Sequence, residues 1–226
     1  MLRAVIFDMD GVLVDSEPLH YSAYQKMFQD YQLEVSDSLY QSFTGQATLE
    51  ICQKLVNTFN LNLKAETLVE TKRIYFKQLL EEAQDFKLIK GVRPLIQNYC
   101  DAGLRLVLAS SASMVNINRI FKRFDLDPYF IAKFSGADLK ASKPDPELFI
   151  KAAHATGFDR ENCMVIEDAA NGVLAAKRAG LFCVGFDSPH SKNQDLSLAD
   201  LRIRSFKEIY YSKIRTYFEK DSTSNP

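Results

Sequence analysis

Ala4-Val5-Ile6-Phe7-Asp8-Met9-Asp10-Gly11 is the stretch that decides the fold. Four apolar residues in a row stop abruptly at an acid. A run that is apolar at every position suits a strand buried on both faces, as in a parallel sheet covered by helices. The same punctuation recurs further on. Leu104 to Ala109 stops at Ser110, Met164-Val165-Ile166 stops at Glu167-Asp168, and Leu181 to Phe186 stops at Asp187. Helical patterns lie between these runs, at roughly 91–102, 112–124, 146–156 and 169–179. Pro144-Asp145-Pro146 reads as a helix start, with Asp145 as the cap and Pro146 at the first helical position. The alternation predicts an α/β fold, a doubly wound parallel sheet with helices on both faces.

Residues 16–85 interrupt this rhythm and hold no buried-strand run. They predict helices at about 17–30, 47–59 and 64–84, with a turn near Gly45. In the long helix Leu68, Tyr75, Phe76 and Leu79 fall near one stripe, as core packing of a small bundle requires. The expected organisation is therefore a catalytic core from 1–15 and 86–226, and an all-helical cap from 16–85 inserted after the first strand. The polar tail from Glu219 to Pro226 is expected to fray.

Composition narrows the function. The chain has 226 residues, 46% hydrophobic and 25% charged, which is ordinary for a globular protein and enough to bury a core without disulfides or a structural metal. Lys and Arg number 28 against 29 Asp and Glu, with no basic stripe, so no nucleic-acid partner is expected. No apolar run approaches a membrane span, and the N-terminus lacks a signal-peptide pattern. Cys52, Cys100, Cys163 and Cys183 have no paired spacing and read as small buried residues in a reducing compartment. A cytoplasmic protein, a monomer or weak dimer that binds a small metabolite and no membrane, is the expectation.

The strand ends carry the chemistry, since ligands of open α/β sheets bind at the carboxyl ends of the strands. Asp8, Asp10, Ser110, Glu167 and Asp168 stand there, and Lys143 precedes a helix start. Converging carboxylates repel unless a cation joins them. Hard oxygen ligands without His or Cys point to Mg²⁺. Ionised Asp8, Glu167 and Asp168 would be neutralised by Mg²⁺ and Lys143, and a phosphate dianion would make the site negative again. A fourth carboxyl should then bind a proton, and Asp10 is the candidate general acid. Ser110 and Lys143 can hold phosphoryl oxygens, helped by the backbone N–H groups after Ser110. Asp8 is left as the nucleophile.

Asp8-Met9-Asp10-Gly11-Val12-Leu13-Val14-Asp15-Ser16 resembles the first motif of the haloacid dehalogenase superfamily. Leu108-Ala109-Ser110-Ser111 resembles its second motif, the run from Lys143 to Phe149 its third, and the run from Ile166 to Gly172 its fourth. All four stand in register, and the helical insertion resembles the cap of the β-phosphoglucomutase-like phosphatases. The resemblance implies a Rossmann-like core and Mg²⁺. It makes Asp8 the nucleophile and a metal ligand. Asp10 becomes the acid/base, with its carbonyl on the metal. Ser110, Ser111 and Lys143 bind the phosphoryl group, and Glu167 and Asp168 complete the metal site.

Some of these residues also have a plainer reading. Ser110 fits a helix N-cap, Glu167 a helix-start acid, and Gly11 and Gly172 backbone-permitting positions. His20 fits either a hydrogen-bonded hinge residue or, by resemblance, a neighbour of the substrate. Lys72 fits either a solvated helix face or the relatives' cap lysine, and Asp15 and Glu17 fit the hinge. β-Phosphoglucomutases carry an Arg three residues after a cap glycine to grip a distal phosphate. Here Gly45 is followed by Thr48 at that position. The expected activity is therefore hydrolysis of a small phosphomonoester, a sugar or polyol phosphate, with β-phosphoglucomutase activity as the alternative. Haloacid dehalogenation leaves Asp10, Glu167 and Asp168 without a use. Phosphonate cleavage would need a Schiff-base cap lysine, for which Lys72 and Lys54 are available but which nothing selects. A phospho-acceptor switch has no use for a cap or for a second acid at Asp10.

Overall fold

The computed structural model describes residues 1–43, 46–188 and 194–219. Six parallel strands form one sheet: β1 (Ala4–Phe7), β2 (Arg105–Ser110), β3 (Phe130–Ser135), β4 (Cys163–Glu167), β5 (Phe182–Phe186) and β6 (Leu201–Ile203). Their spatial order is β3-β2-β1-β4-β5-β6. From β1 the chain moves outward to β3, then returns to the other side of β1 at β4. That reversal places the ligand crevice beyond the carboxyl ends of β1 and β4.

The all-apolar strands serve two cores at once. Ala4 and Ile6, with Val107, Ala109, Val165 and Cys183, pack on α7 (Glu147–Ala155) and α8 (Ala170–Arg178). Val5 and Phe7, with Leu106, Leu108, Met164 and Ile166, pack on α5 (Val92–Asp101), α6 (Met114–Arg123) and the C-terminal Phe206, Ile209 and Ile214. A doubly wound sheet covered on both faces is thus what the sequence pattern predicts.

The differences lie at the edges. β3 and β6 were not expected. Both are edge strands, and in β3 Ile131 is exposed and Lys133 only half-buried, so no continuous apolar run marks it. α7 starts at Glu147, one residue later than its Pro-Asp-Pro start predicts. Pro146 takes the cap position, and Asp145 Oδ1 accepts the Glu147 N–H at 2.9 Å.

Among the described residues four helices lie between β1 and α5: α1 (Glu17–Asp30), α2 (Asp37–Gln41), α3 (Thr48–Thr58) and α4 (Ala65–Glu82). Three match the expected ones. α2, capped by the Ser36 hydroxyl, is too short to show a period. Tyr24, Met27, Phe28, Ile51, Leu55 and Leu68 form the local core of this layer. The α4 stripe is shared differently from the expected bundle, because Phe76 and Leu80 join the main core. Arg123 of α6 donates to the carbonyls of Leu80, at 2.7 Å, and Ala83, so the end of α4 is fixed to the sheet layer. Among the described residues no helix is long and apolar enough to cross a membrane. All four cysteines are free, and Cys52, Cys163 and Cys183 are buried. Gly45 and the tail from 220 lie outside the described residues.

Candidate active site

Asp8 follows β1 directly. Its N–H continues the ladder by donating to Ile166 O at 3.0 Å, which turns its carboxylate into the crevice. The chain then folds back, with Leu13 and Val14 N–H groups donating to Met9 O at 2.8 and 3.1 Å. Gly11 takes a positive φ of 83° in that turn, and a Cβ there would stand 1.9 Å from Asp168 Oδ2. Gly11 is therefore required both for the turn and for the room it leaves Asp168.

Lys143 is the buried centre of the site. Its Nζ donates to Asp8 Oδ1 at 2.5 Å, Glu167 Oε1 at 2.8 Å and Ala109 O at 3.2 Å. Glu167 Oε2 accepts the N–H groups of Asp168 and Ala169, at 2.7 and 2.8 Å. Both Glu167 oxygens are thus engaged. Glu167 thereby orients Lys143 and the turn into α8, a role that the sequence reading did not give it. Gly172 allows this, since a Cβ there would stand 1.7 Å from Glu167 Oε1. Its role is to make space, beyond permitting a backbone shape.

The charges do not balance among these groups. Burial, opposed by the charge of Lys143, pushes the Asp8 carboxyl up to about 7. Burial, and then the charges of Glu167 and Asp8, hold Asp168 well above the usual carboxylate range. Burial alone would lower Lys143, but its two carboxylate partners outweigh that and raise it.

Asp10 faces the helical layer. It accepts a hydrogen bond from the buried Ser16 hydroxyl, and His20 Nε2 lies 3.6 Å from Asp10 Oδ1. His20 Nδ1 is 2.7 Å from Lys72 Nζ, and the ring stacks on Phe76 with centroids 4.3 Å apart. Burial raises Asp10, but the hydrogen bond and charge of His20, the Ser16 hydroxyl and the charge of Lys72 together hold it below the usual range. This corrects the expectation that Asp10 carries the surplus proton. Asp10 has the Lys72 charge of α4 nearby and His20 of α1 as a polar partner, the ring itself being lowered by burial and then by the charge of Lys72, whereas Asp8, Glu167 and Asp168 share one lysine. The solvated-face reading of Lys72 is also corrected. Lys72 is 2% exposed, lies over the rings of Tyr24 and Phe76, and is lowered by burial to about 8.

A cavity of about 520 Å³ separates the two layers. Asp8, Asp10, Lys143 and Asp168 form its floor, and His20, Thr48 and Lys72 line its roof. Ser111 also reaches the wall, while Ser110 is fully buried beneath it. Ser110 Oγ accepts the Ala112 N–H at 3.0 Å and so shapes the turn that presents Ser111, and the N-cap of α6 is Ser113. The N-cap reading of Ser110 therefore gives way to Ser113, while the Ser110 hydroxyl, which accepts the Ala112 N–H, keeps its own proton as a donor. Glu66, Glu70 and Arg73 of α4 line the cavity too and were not singled out. Their spacing of four and three residues on one helix face was a readable signal.

The donor set fits a hard cation. Among the described residues no cluster of three His, Cys, Asp or Glu side chains forms a preassembled metal cage. Mg²⁺ needs none, since it is commonly held by one or two carboxylates, waters and substrate phosphate. Asp8 and Asp168 are both raised by burial and then by neighbouring carboxylates, Glu167 foremost, which is the situation a divalent cation relieves.

A family model of haloacid dehalogenase-like hydrolases matches residues 2–180. The chain is 31% identical over 204 residues to the phosphorylated carbohydrates phosphatase of Thermotoga maritima, covering 88% of this chain and 91% of that protein. It is 28% identical over 228 residues to hexitol phosphatase B of Escherichia coli K12, covering 92% and 94%. The fold superposes on β-phosphoglucomutase from Clostridium difficile with a TM-score of 0.85, over 96% of this chain and 97% of that one. At 23% identity, that likeness shows the fold alone.

Proposed function

As the chain belongs to the haloacid dehalogenase-like hydrolases, we propose that it removes phosphate from a small sugar or polyol phosphate through an aspartyl-phosphate on Asp8. The observation that carries this reading is Asp8 itself, buried at the cavity floor and held by Lys143 at 2.5 Å beside Asp168. The names of the two phosphatase relatives support the substrate class.

Asp8 and Asp168, with the Asp10 backbone carbonyl, would hold Mg²⁺, which neutralises phosphoryl charge when bound. An Asp8 oxygen attacks phosphorus, and the bond from phosphorus to the substrate's ester oxygen breaks. The incoming phosphate dianion places negative charge beside Asp10 and so favours a proton on its carboxyl. Asp10 delivers that proton to the leaving oxygen, and the sugar or polyol leaves as an alcohol. Asp10 then takes a proton from water, whose oxygen attacks the phosphoaspartate and releases inorganic phosphate while restoring Asp8. Lys143 stabilises the transferring oxygens. The contacts of Asp10 with Ser16 and His20 hold it at the boundary between the two layers, where the leaving oxygen would lie. Thr48 in place of an arginine supports hydrolysis over mutase chemistry, because Thr supplies no bidentate grip for a distal phosphate. The four free cysteines fit a reducing, cytoplasmic setting.

Phosphate release from a panel of sugar and polyol phosphates, with and without Mg²⁺, tests this. Mg²⁺-dependent release that disappears in Asp8→Asn is expected. Conversion of β-glucose 1-phosphate to glucose 6-phosphate without phosphate release, given a glucose 1,6-bisphosphate primer, would replace the reading with a mutase.

A further inference from the structure

We infer that Glu50 is a positioning residue that ties closure of the helical layer to the placement of the Lys143 loop. Glu50 lies in the first turn of α3, half-buried. Its Oε1 accepts the backbone N–H of Ser142 at 3.2 Å, across 92 residues of sequence. α3 begins and ends within the helical insertion, so this bond crosses the cleft rather than following the chain. Ser142 is buried and directly precedes Lys143. The loop it belongs to is internally braced. Ser142 O accepts the Asp145 N–H at 2.9 Å, and Arg178 of α8 donates to Pro144 O at 3.0 Å. A pull on Ser142 is therefore a pull on the segment that aims Lys143 at Asp8.

The same turn of α3 carries Thr48 and Leu49, which line the cavity. When Glu50 engages Ser142, the roof settles over the phosphoryl site and the loop beneath it is held in its gripping position. A carboxylate in a first helical turn is favoured by the helix dipole whether or not it has a partner. The Ser142 bond is the feature that a dipole role does not explain. The catalytic consequence rests on the phosphatase reading, but the bond itself does not.

The test uses the full chain, labelled with ¹⁵N, as wild type, Glu50→Ala and Glu50→Gln. Hydrogen exchange of the Ser142 amide is measured alongside hydrolysis of p-nitrophenyl phosphate with Mg²⁺. Loss of this one half-exposed hydrogen bond, worth about 0.5–1.5 kcal/mol, should speed Ser142 exchange by roughly 3- to 10-fold in Glu50→Ala. Exchange in the α7 amides, which reports intact folding, should not change. Glu50→Gln keeps a side-chain carbonyl acceptor and should restore protection, while a purely dipolar role would leave it like Ala. kcat/KM should fall in Glu50→Ala by a similar factor and recover in Glu50→Gln. Equal Ser142 exchange in wild type and Glu50→Ala, or Glu50→Gln matching Glu50→Ala, overturns the bond. Faster exchange with unchanged kcat/KM overturns the coupling. A wild type that hydrolyses no phosphomonoester defeats the phosphatase reading instead, and the exchange result still decides the bond.

Discussion

Raising the pH of the chelator-treated protein should destabilise it through its buried, proton-holding carboxyls, and the share of Asp8 is the one a single substitution isolates. The Asp8 carboxyl stands at about 7 in the folded chain against an ordinary 3.8. The folded state therefore holds a proton over a pH range in which the unfolded chain has released it. The Asp8 share of stability falls as pH rises from about 4 to about 7, then levels off. At about 1.4 kcal/mol per pH unit the full penalty is about 4 kcal/mol. About 1.6 kcal/mol of it is already present at pH 5, so about 2.6 kcal/mol accrues between pH 5 and pH 8. For a chain of this length that corresponds to roughly 5–10 °C in Tm. The control is Asp8→Asn, which cannot titrate. Unfolding in EDTA should show the wild type losing this amount relative to Asp8→Asn as pH rises from 5 to 8. Saturating Mg²⁺ should erase the difference in slope, because a cation beside Asp8 favours its charged form. Parallel pH slopes for the two proteins in EDTA, or a wild type that gains on Asp8→Asn toward pH 8, would refute the argument that this site lacks positive charge.

Asp10→Asn should lower turnover of a sugar phosphate by about 10²–10⁴-fold while Mg²⁺ still raises Tm; an unchanged rate in steady-state kinetics removes Asp10 as acid/base. Lys72→Met should raise stability at pH 7 while lowering kcat/KM. Lys72 is depressed from 10.5 to about 8 by burial, so its penalty is present below pH 8 and relieved as pH rises toward 10.5. The gain is then up to about 3 kcal/mol at neutral pH, read by urea unfolding, and it shrinks between about pH 8 and pH 10.5. Gly11→Ala should weaken Mg²⁺ about 10- to 100-fold in a thermal-shift titration, since the new Cβ would stand 1.9 Å from Asp168 Oδ2 at a backbone φ of 83°. A variant with wild-type Mg²⁺ affinity would show that Asp168 can move without loss.

The parts of this protein that were legible in the sequence are those where local pattern and tertiary environment coincide. β1, β2, β4 and β5 read correctly because each is buried on two faces, in β2 from Leu106 onward, which forces an apolar run ending on a polar residue at the crevice. That punctuation singled out Asp8, Asp10, Glu167 and Asp168. β3 and β6 did not read, because an edge strand has one neighbour and admits Ile131 to solvent and Lys133 to its face. The roles within the site were harder, because each pairing joins distant segments. Glu167 turns to Lys143 across 24 residues, and Asp10 owes its low proton affinity to α1 and α4.

Lys72 is the instructive miss. Read with its neighbours Glu70 and Arg73 it belongs to a charged helix face. Read along the helix it occupies the row Leu68, Lys72, Phe76, Leu80, at steps of four, and the other three members are buried apolar residues. Side chains four apart share one face of a helix. A lysine in that row must either be carried to solvent by its stem or meet a partner inside. Lys72 meets one, His20, at 2.7 Å, and through it reaches Asp10. The α4 register that buries Leu68 and Phe76 therefore also sets a charge beside the candidate acid. Packing of the helical layer and electrostatics of the site are here one constraint, and a charged residue in an apolar row is the sequence sign of it.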